Sequence, residues 1–192
     1  MLEPLAPSGP LDAVLRAALP VATDALRVRV VEGLRVLALR HLAAGIGVLE
    51  QVLTAHSVGP LAAPGEGGPG DPGLVWSRPG EFLLLTTDHP LAEGLLQALA
   101  PGRESMACAL DQSAGTRVFE LLGPGLADLL PRLFDAGAIP RQSGRATRTR
   151  MVDIAALVQR RSDDCAWLVV DSSHDLYTAQ WLAYASNGDA AQ

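Results

Sequence analysis

Hydrophobic and polar positions alternate with a period of two in several short stretches, which is typical of half-buried β-strands. Residues 26–31 read Leu-Arg-Val-Arg-Val-Val, and after an interruption at Glu32 and Gly33 the alternation resumes over residues 34–40. These stretches predict two strands or one bulged strand. Further strands are predicted for residues 74–77, 81–86, 106–110, 116–121, 152–160 and 165–170.

Turn residues between neighbouring stretches predict two hairpins. Arg78, Pro79 and Gly80 separate residues 74–77 from residues 81–86, and proline and glycine preset the dihedral angles of a tight turn. Ser-Asp-Asp at residues 162–164 separates the last two predicted strands in the same way. Each pair of strands is therefore expected to be antiparallel.

Between the strands, apolar residues recur every three or four positions, which predicts amphipathic helices. In residues 41–56 this apolar face is formed by Leu42, Ile46, Leu49 and Leu53. Other helices are predicted for residues 90–99 with Asp88 as N-cap, after Gly123-Pro124-Gly125, and for residues 173–185 ending at Asn187 and Gly188. The order strand, strand, helix is met about twice. We therefore expect an α+β fold of antiparallel sheets with helices on one face, arranged as ferredoxin-like halves.

The distribution of proline and glycine suggests how the chain is divided. Residues 1–24 contain four prolines around one apolar piece, residues 11–19, and are predicted to be an N-terminal extension with two or three helical turns. Residues 25–100 and 101–187 are predicted to be the first and second α+β halves, and residues 188–192 a tail. Within the first half, the glycine- and proline-rich residues 59–73 are expected to be a mobile loop or linker.

The composition is that of a globular protein with a substantial core. The chain has 192 residues, of which 48% are apolar and 19% charged, so no disulfide or metal is needed to hold it together. Cys108 and Cys165 are expected to be small core residues. No basic segment precedes an apolar run at the start, and no stretch approaches the ~20 apolar residues of a membrane span, so we expect a cytoplasmic protein without membrane contact.

The basic residues are all arginine, which excludes several mechanisms. There are 15 of them and no lysine, so a Schiff-base lysine, a P-loop lysine and a Ser-Lys nucleophile pair are absent. The net charge is −6, so nonspecific binding to nucleic acid or to anionic membranes is not expected.

The spacings that assemble a catalytic site are missing from the sequence. It contains no Gly-x-Ser-x-Gly, no Cys-x-x-Cys and no two histidines three to five positions apart. Residues 65–70 match Gly-x-Gly-x-x-Gly, but no strand precedes them and no helix follows, so a dinucleotide site is not predicted. We therefore predict no catalytic, cofactor-binding or metal-binding residue in this chain, and solvated or capping roles for its histidines: His41, His56, His89 and His174.

Arginines cluster between residues 141 and 161, where Asp153 is the only acidic residue. Arginine binds carboxylates and phosphates bidentately, so the cluster could dock an acidic partner surface or an anionic cofactor tail. Alternatively, it is a solvated strand edge that positive charge protects from aggregation. Asp111, Asp153 and Asp171 are expected to be local turn acceptors. The arginines of the cluster are Arg141, Arg145, Arg148, Arg150, Arg160 and Arg161.

Four stretches together resemble a known family. Residues 109–130, with Ala-Leu-Asp-Gln-Ser and Gly-Pro-Gly-Leu-Ala-Asp-Leu-Leu, are similar to the folate-binding domain of glycine-cleavage aminomethyltransferases. Residues 147–158, residues 175–182 and the hairpin at 74–84 resemble the smaller relative of that domain, the gamma subunit of heterotetrameric sarcosine oxidase. The resemblance covers residues 26–185 in order and implies part of the aminomethyltransferase fold.

The resemblance also implies a function. In that family the complex demethylates sarcosine oxidatively, with FAD, FMN, NAD and tetrahydrofolate held by the alpha and beta subunits and zinc by delta. The gamma chain is a cofactor-free structural subunit, so this chain is expected to be noncatalytic, with alpha, beta and delta subunits as partners. Related complexes oxidise other N-methyl amino acids, which leaves the substrate open. Trp76, Arg148 and Arg150 are predicted partner contacts, because tryptophan and arginine often anchor interfaces.

Two other functions remain open at this stage. Asp111 and Asp153 lie in a region similar to the folate-binding domain, so a stand-alone folate-binding aminomethyltransferase-like protein is an alternative. However, where the aminomethyltransferases carry paired acids, Val152-Asp153-Ile154 keeps one acid, which argues against independent folate chemistry. A small regulatory or ligand-sensing domain built from ferredoxin-like halves is the third possibility.

Overall fold

The computed structural model describes residues 13–15, 19, 21–23, 25–68, 70–102 and 105–186. Of the helical turns predicted at residues 11–19, residues 13–15 are helical, and the remainder apart from Leu19 lies outside the described residues. The predicted helix end at Asn187 and Gly188 also lies outside them. In chain order the elements are β1 (Val21–Ala22), β2 (Arg27–Val30), β3 (Arg35–His41), α1 (Ile46–Ala55), β4 (Gly73–Arg78), β5 (Glu81–Thr86), α2 (His89–Ala98), β6 (Ala107–Asp111), β7 (Thr116–Leu122), α3 (Leu126–Leu133), β8 (Arg145–Met151), β9 (Ile154–Ser162), β10 (Cys165–Asp171) and α4 (Asp175–Ser186).

Strands β3 to β6 form a four-stranded antiparallel sheet in the order β4-β5-β3-β6. Helix α1 connects β3 to β4, and α2 connects β5 to β6, which is the ferredoxin-like arrangement. Leu49 and Leu53 of α1 and Leu95 of α2 are buried against this sheet. The predicted N-cap is confirmed, because the Asp88 carboxylate accepts a hydrogen bond from the backbone N–H of Leu91 at 2.9 Å.

The remaining strands form a six-stranded antiparallel sheet in the order β1-β2-β7-β10-β9-β8. Its outer face is covered by α3 and α4, with Phe119, Leu126 and Leu182 fully buried between helices and strands. Both predicted hairpins are present, β4–β5 and β9–β10. Strand β8 was not among the predicted strands, and it forms one edge of this sheet.

The two sheets pack face to face, so the molecule has four layers: helices, sheet, sheet, helices. The contact between the sheets is a third apolar cluster, with Val36 and Leu85 on one side and Val118 and Trp167 on the other. Each sheet thus carries helices on one face, and the predicted α+β class is confirmed.

The two alternating stretches at residues 26–31 and 34–40 become separate strands in different sheets. Strand β2 pairs with β7, whereas β3 pairs with β5 and β6. The chain crosses from one sheet to the other at Gly33, whose φ of +70° suits glycine. Because β6 follows residue 100 yet belongs to the four-stranded sheet, both sheets draw on residues from either side of the predicted boundary. The division into halves at that residue stays a prediction.

The glycine-rich residues 59–73 include a segment that lies against β8. The N–H of Gly67 donates to the carbonyl of Gly144 at 2.9 Å, and the N–H of Ala146 donates to the carbonyl of Gly65 at 3.0 Å. Glu66 faces Arg145 in an antiparallel bridge. This segment therefore acts as an additional short strand and not as a spacer between halves.

Candidate functional site

Three arginines of the predicted cluster project from one strand, β8. Successive side chains of a strand point to opposite faces. Ala146 belongs to the cluster between the sheets, so Arg148 and Arg150 point to that same face, whereas Arg145 points to the other. All three are exposed. The structure thus places Arg148 and Arg150 on one face of β8, and their role as partner contacts stays a prediction.

The other arginines of the cluster are placed differently. Arg160 lies opposite Arg145 on β9. Arg161 follows Arg160 on β9, its guanidinium carbon lies 3.8 Å from the centre of the Trp167 ring, and burial lowers its pKa. Arg141 precedes β8 and is exposed. The arginine cluster predicted from the sequence is therefore divided among three places in the structure.

Next to Arg148, the carboxylate of Glu81 is the centre of a polar network between the sheets. Its Oε2 accepts hydrogen bonds from Arg40 Nε at 2.8 Å and from Arg78 Nη2 at 2.7 Å, and its Oε1 accepts one from Ser77 Oγ at 3.1 Å. Arg148 Nη1 donates to the same Ser77 Oγ at 3.0 Å, which joins the two sheets. We call Arg145, Arg148 and Arg150 with the neighbouring Arg40 and Arg78 the arginine edge.

Local sequence explains why these groups meet. Strand β4 is irregular between Trp76 and Arg78, and this bulge at Ser77 changes the direction of the strand at its end. Arg40 lies directly across from Glu81 in the pairing of β3 with β5. Burial of Glu81 raises its pKa, but the hydrogen bonds and charges of Arg78 and Arg40 outweigh that effect and lower the pKa below its ordinary value.

A cleft of about 350 Å³ opens beside this network, where the two sheets separate. Its floor is apolar and is formed by Ala38, Leu83, Leu157 and Val169. Its mouth carries three guanidinium groups, each of which makes one hydrogen bond to described residues. The unused N–H groups can bind a carboxylate or another oxyanion. The arginines at the mouth are Arg40, Arg78 and Arg148.

The third predicted contact, Trp76, is not part of the arginine edge. It is adjacent to Ser77 in sequence, but its side chain points to the opposite face of the four-stranded sheet. There it packs, half-buried, against the apolar cluster beneath α1 and α2. The structure therefore brings Arg148 and Arg150 together but leaves Trp76 on the other side of the sheet.

The three candidate acids have structural partners or lie in a turn. Asp111 accepts hydrogen bonds from the N–H and hydroxyl of Ser113 and from Arg35. Burial raises its pKa, but these contacts lower it further than burial raises it. The hydroxyl and N–H of Ser173 lower the pKa of Asp171. Asp153 is exposed in the β8–β9 turn, where its carbonyl accepts from Arg150 Nη2 at 2.9 Å.

Several members of this network were missed in the sequence. Ser77, Glu81, Arg40 and Arg78 were read only as parts of strands and a turn, and Glu66 only as part of a glycine-rich loop. The available signal for Glu81 was a charged residue directly before an apolar strand and next to a Pro-Gly turn. The pairing of β3 with β5, which brings Arg40 to Glu81, is a tertiary property.

Clusters of metal ligands and membrane-spanning helices are both absent from the described part of the chain. No three side chains of the His, Cys, Asp or Glu type are close enough together there to hold a metal ion. In the same residues, no helix combines the length and apolar character needed to cross a bilayer.

The comparisons with known proteins agree with one another. No family model matches the sequence. The chain is 31% identical over 180 residues to sarcosine oxidase subunit gamma of Corynebacterium sp. (strain U-96), a match that spans 92% of this chain and 86% of that subunit. It is 29% identical over 176 residues to the same subunit of Corynebacterium sp. (strain P-1), spanning 78% of this chain and 84% of that subunit.

Solved structures of the same subunit's complex and of an aminomethyltransferase are also similar to this chain. A chain of heterotetrameric sarcosine oxidase from Corynebacterium sp. U-96, in complex with pyrrole 2-carboxylate, is similar with a TM-score of 0.77 and 29% identity, covering 95% of this chain and 94% of that one. Aminomethyltransferase T of the glycine cleavage system from Bartonella henselae has a TM-score of 0.55 at 13% identity, covering 92% of this chain and 49% of that one. The second likeness concerns the fold alone, and it confirms the fold that the sequence resemblance implied.

Proposed function

This chain belongs to the family of sarcosine oxidase gamma subunits, and from that premise we propose that it is a noncatalytic structural subunit of a heterotetrameric flavoenzyme. The complex would oxidise sarcosine or a related N-methyl amino acid, with alpha, beta and delta chains as partners. The observation that carries the proposal is the extent of the likeness, which spans 92% of this chain and 86% of the related subunit. FAD, FMN, NAD and tetrahydrofolate would be held by the alpha and beta chains, and zinc by delta.

The state of the carboxylates supports a structural role. Burial raises the pKa of Glu81, Asp111 and Glu120, but hydrogen bonds and arginine charges outweigh burial, so each pKa lies below its ordinary value. General acid–base catalysis at neutral pH favours a pKa near the working pH. These three groups therefore remain ionised and act as fixed partners of arginines: Arg78 and Arg40, Arg35, and Arg29.

The arginine edge is the surface that best fits a contact with a partner. Arg148 and Arg150 are exposed on an edge strand of the sheet, and a guanidinium group can bind a carboxylate through two hydrogen bonds. Trp76 remains a proposed contact as well, on the other face of the neighbouring sheet. Because that side chain is half-buried under its own helices, we expect its contribution to be smaller than that of the two arginines.

Coexpression tests the proposal. The chain is produced together with the alpha, beta and delta homologues of its own organism, the complex is purified through a tag on the beta chain, and its intact mass is measured. We expect a mass equal to that of all four chains. The proposal fails if this chain does not copurify with the others, or if sarcosine-type oxidation is catalysed by this chain alone.

A second measurement addresses the alternative function. Tetrahydrofolate is titrated into the isolated chain and binding heat is recorded by calorimetry. The structural proposal predicts no heat of binding. Saturable heat would instead favour the stand-alone folate-binding protein.

A further inference from the structure

Strand β8 is half covered and half open along its outer edge. The N–H of Ala146 points away from β9, because it donates to Gly65. Backbone groups alternate in direction along an antiparallel strand, so the N–H and C=O groups of Arg148 and Arg150 also point outward. No described residue pairs with them. Residues 147–151 of β8 therefore present a row of unused donors and acceptors.

The covered part of the edge, residues 144–146, shows what kind of segment can pair with β8. Residues 65–67 lie antiparallel to residues 144–146 and are held by two backbone hydrogen bonds. From this short strand the carboxylate of Glu66 reaches Arg145, with Oε1 at 3.4 Å from Nη1. The chain then turns away at Gly65, which has a φ of +78°, so the cover ends before Thr147. The molecule itself thus pairs an acidic extended segment with an arginine on β8.

The uncovered part of the β8 edge, residues 147–151, also carries arginines, and it carries more positive charge than the covered part. Arg148 and Arg150 lie two positions apart on the same face; Arg148 lines the cleft with Arg40 and Arg78, and Arg150 donates to the Asp153 carbonyl in the neighbouring turn. The negative charge of Glu81 neutralises only part of the positive charge of these four arginines. A second copy of this chain is a poor occupant, because pairing two β8 edges would bring arginines against arginines.

We propose that residues 147–151 of β8 receive an extended acidic segment of a partner subunit as an added β-strand. Backbone hydrogen bonds to Arg148 and Arg150 would hold the segment, and carboxylates at alternate positions would bind the two guanidinium groups. The carboxylate opposite Arg148 would point into the mouth of the cleft. The inference rests on the proposed function, since the partner is a subunit of the same complex.

Hydrogen exchange of the backbone tests this directly. The isolated chain and the coexpressed complex are compared by mass spectrometry with fragmentation that resolves single residues. In the isolated chain we expect the amides of Arg148 and Arg150 to exchange rapidly and those of Thr147 and Thr149, which point toward β9, to be protected. In the complex we expect the amides of Arg148 and Arg150 to slow by at least about 100-fold.

Two variants at one position separate the backbone from the side chain. Arg150→Ala removes the guanidinium but keeps the outward N–H, whereas Arg150→Pro removes both. Proline is tolerated at an edge position whose N–H faces outward, so the β8–β9 pairing remains intact in both variants. We expect Arg150→Ala to leave the complex about 10-fold faster than the parent chain and Arg150→Pro about fivefold faster again, measured as replacement by labelled chain.

Failure of the strand addition can be distinguished from failure of the proposed function. If the complex assembles but the amides of Arg148 and Arg150 exchange as in the isolated chain, the added strand is absent although the subunit role stands. Equal dissociation rates for Arg150→Ala and Arg150→Pro would likewise overturn strand addition and leave only a charge contact. Protection of these amides in a dimer of the isolated chain would assign the edge to a second copy. If no complex forms, both proposals fall together.

Discussion

The two ends of the space between the sheets are built in opposite ways. At one end the sheets meet through buried apolar side chains, with Val36 and Leu85 of one sheet in the same cluster as Val118 and Trp167 of the other, and a second cleft of about 450 Å³ borders Val36 and Val118. At the other end the sheets separate around a cleft, and Glu81 with its hydroxyl and arginine partners bridges the gap. Apolar burial therefore holds the sheets together at one end, whereas the charged groups at the other end leave hydrogen-bond donors free for a group outside the chain.

The largest expected effect comes from the apolar end. Leu85 is 1% exposed, and Leu85→Ala should lower the free energy of unfolding by about 3 kcal/mol, because it removes buried contacts and leaves a cavity. Leu83→Ala is the matched control, since Leu83 borders the cleft and already lacks neighbours on one side. We expect that variant to cost about half as much in urea unfolding. Equal losses would remove the distinction between the two ends.

A smaller effect is expected at the charged end. Glu81→Ala leaves Arg40, Arg78 and the buried Ser77 without their acceptor and should cost about 2 kcal/mol of unfolding free energy. The comparison variant is Glu93→Ala, which removes an exposed partner of Arg35 and should change the free energy by less than about 0.5 kcal/mol. A negligible loss for Glu81→Ala would show that the network does not hold the sheets.

The same network gives a pH dependence of known sign. Burial alone would raise the pKa of Glu81, but its arginine contacts lower it below the ordinary 4.5, so the ionised carboxylate stabilises the folded chain above that pH. This contribution is lost as the pH falls below 4.5 and through the folded-state pKa. The difference in unfolding free energy between the parent and Glu81→Gln should therefore shrink from pH 7 to pH 3. A constant difference would contradict the assignment.

The smallest effect on stability is expected for Arg148→Glu. Arg148 is exposed, and Ser77 keeps its hydrogen bond to Glu81 without it, so the free energy of unfolding should change by less than about 1 kcal/mol. Assembly with the partner subunits should nevertheless decrease, which coexpression and intact mass would measure. If the variant assembles as well as the parent at moderate salt, the arginine edge is an ordinary surface.

Local patterns predicted the elements well where turn and cap residues carry the information. Arg-Pro-Gly marked the β4–β5 hairpin, and Asp88 marked the start of α2. Strand β8 was missed because Thr-Arg-Thr-Arg has no apolar alternation, as expected for an edge strand whose intersheet face opens onto a cleft. The assignment of β2 and β6 to their sheets depends on pairing between distant residues, which alternation alone does not encode.

The candidate site was predicted only in part, for the same reason. Arg148 and Arg150 were predicted, like Trp76, because arginine and tryptophan often anchor interfaces, and the structure places these two arginines on one face of β8. Trp76 was chosen for its residue type, and a residue type does not tell which face of a strand it occupies. Glu81 and Ser77 were not predicted, because Arg40 of β3, Arg78 at the end of β4 and Arg148 of β8 reach them only in the folded chain.

The pairing of residues 65–67 with the start of β8 also has a consequence for the order of folding. Glu66 and Arg145 are separated by 79 positions, so their contact closes a long loop that forms late. Until that loop closes, the outer edge of β8 is therefore uncovered along its whole length. During that interval its arginines repel the same strand of a neighbouring nascent chain, and the glycine-rich segment takes over part of this protection once the molecule is complete.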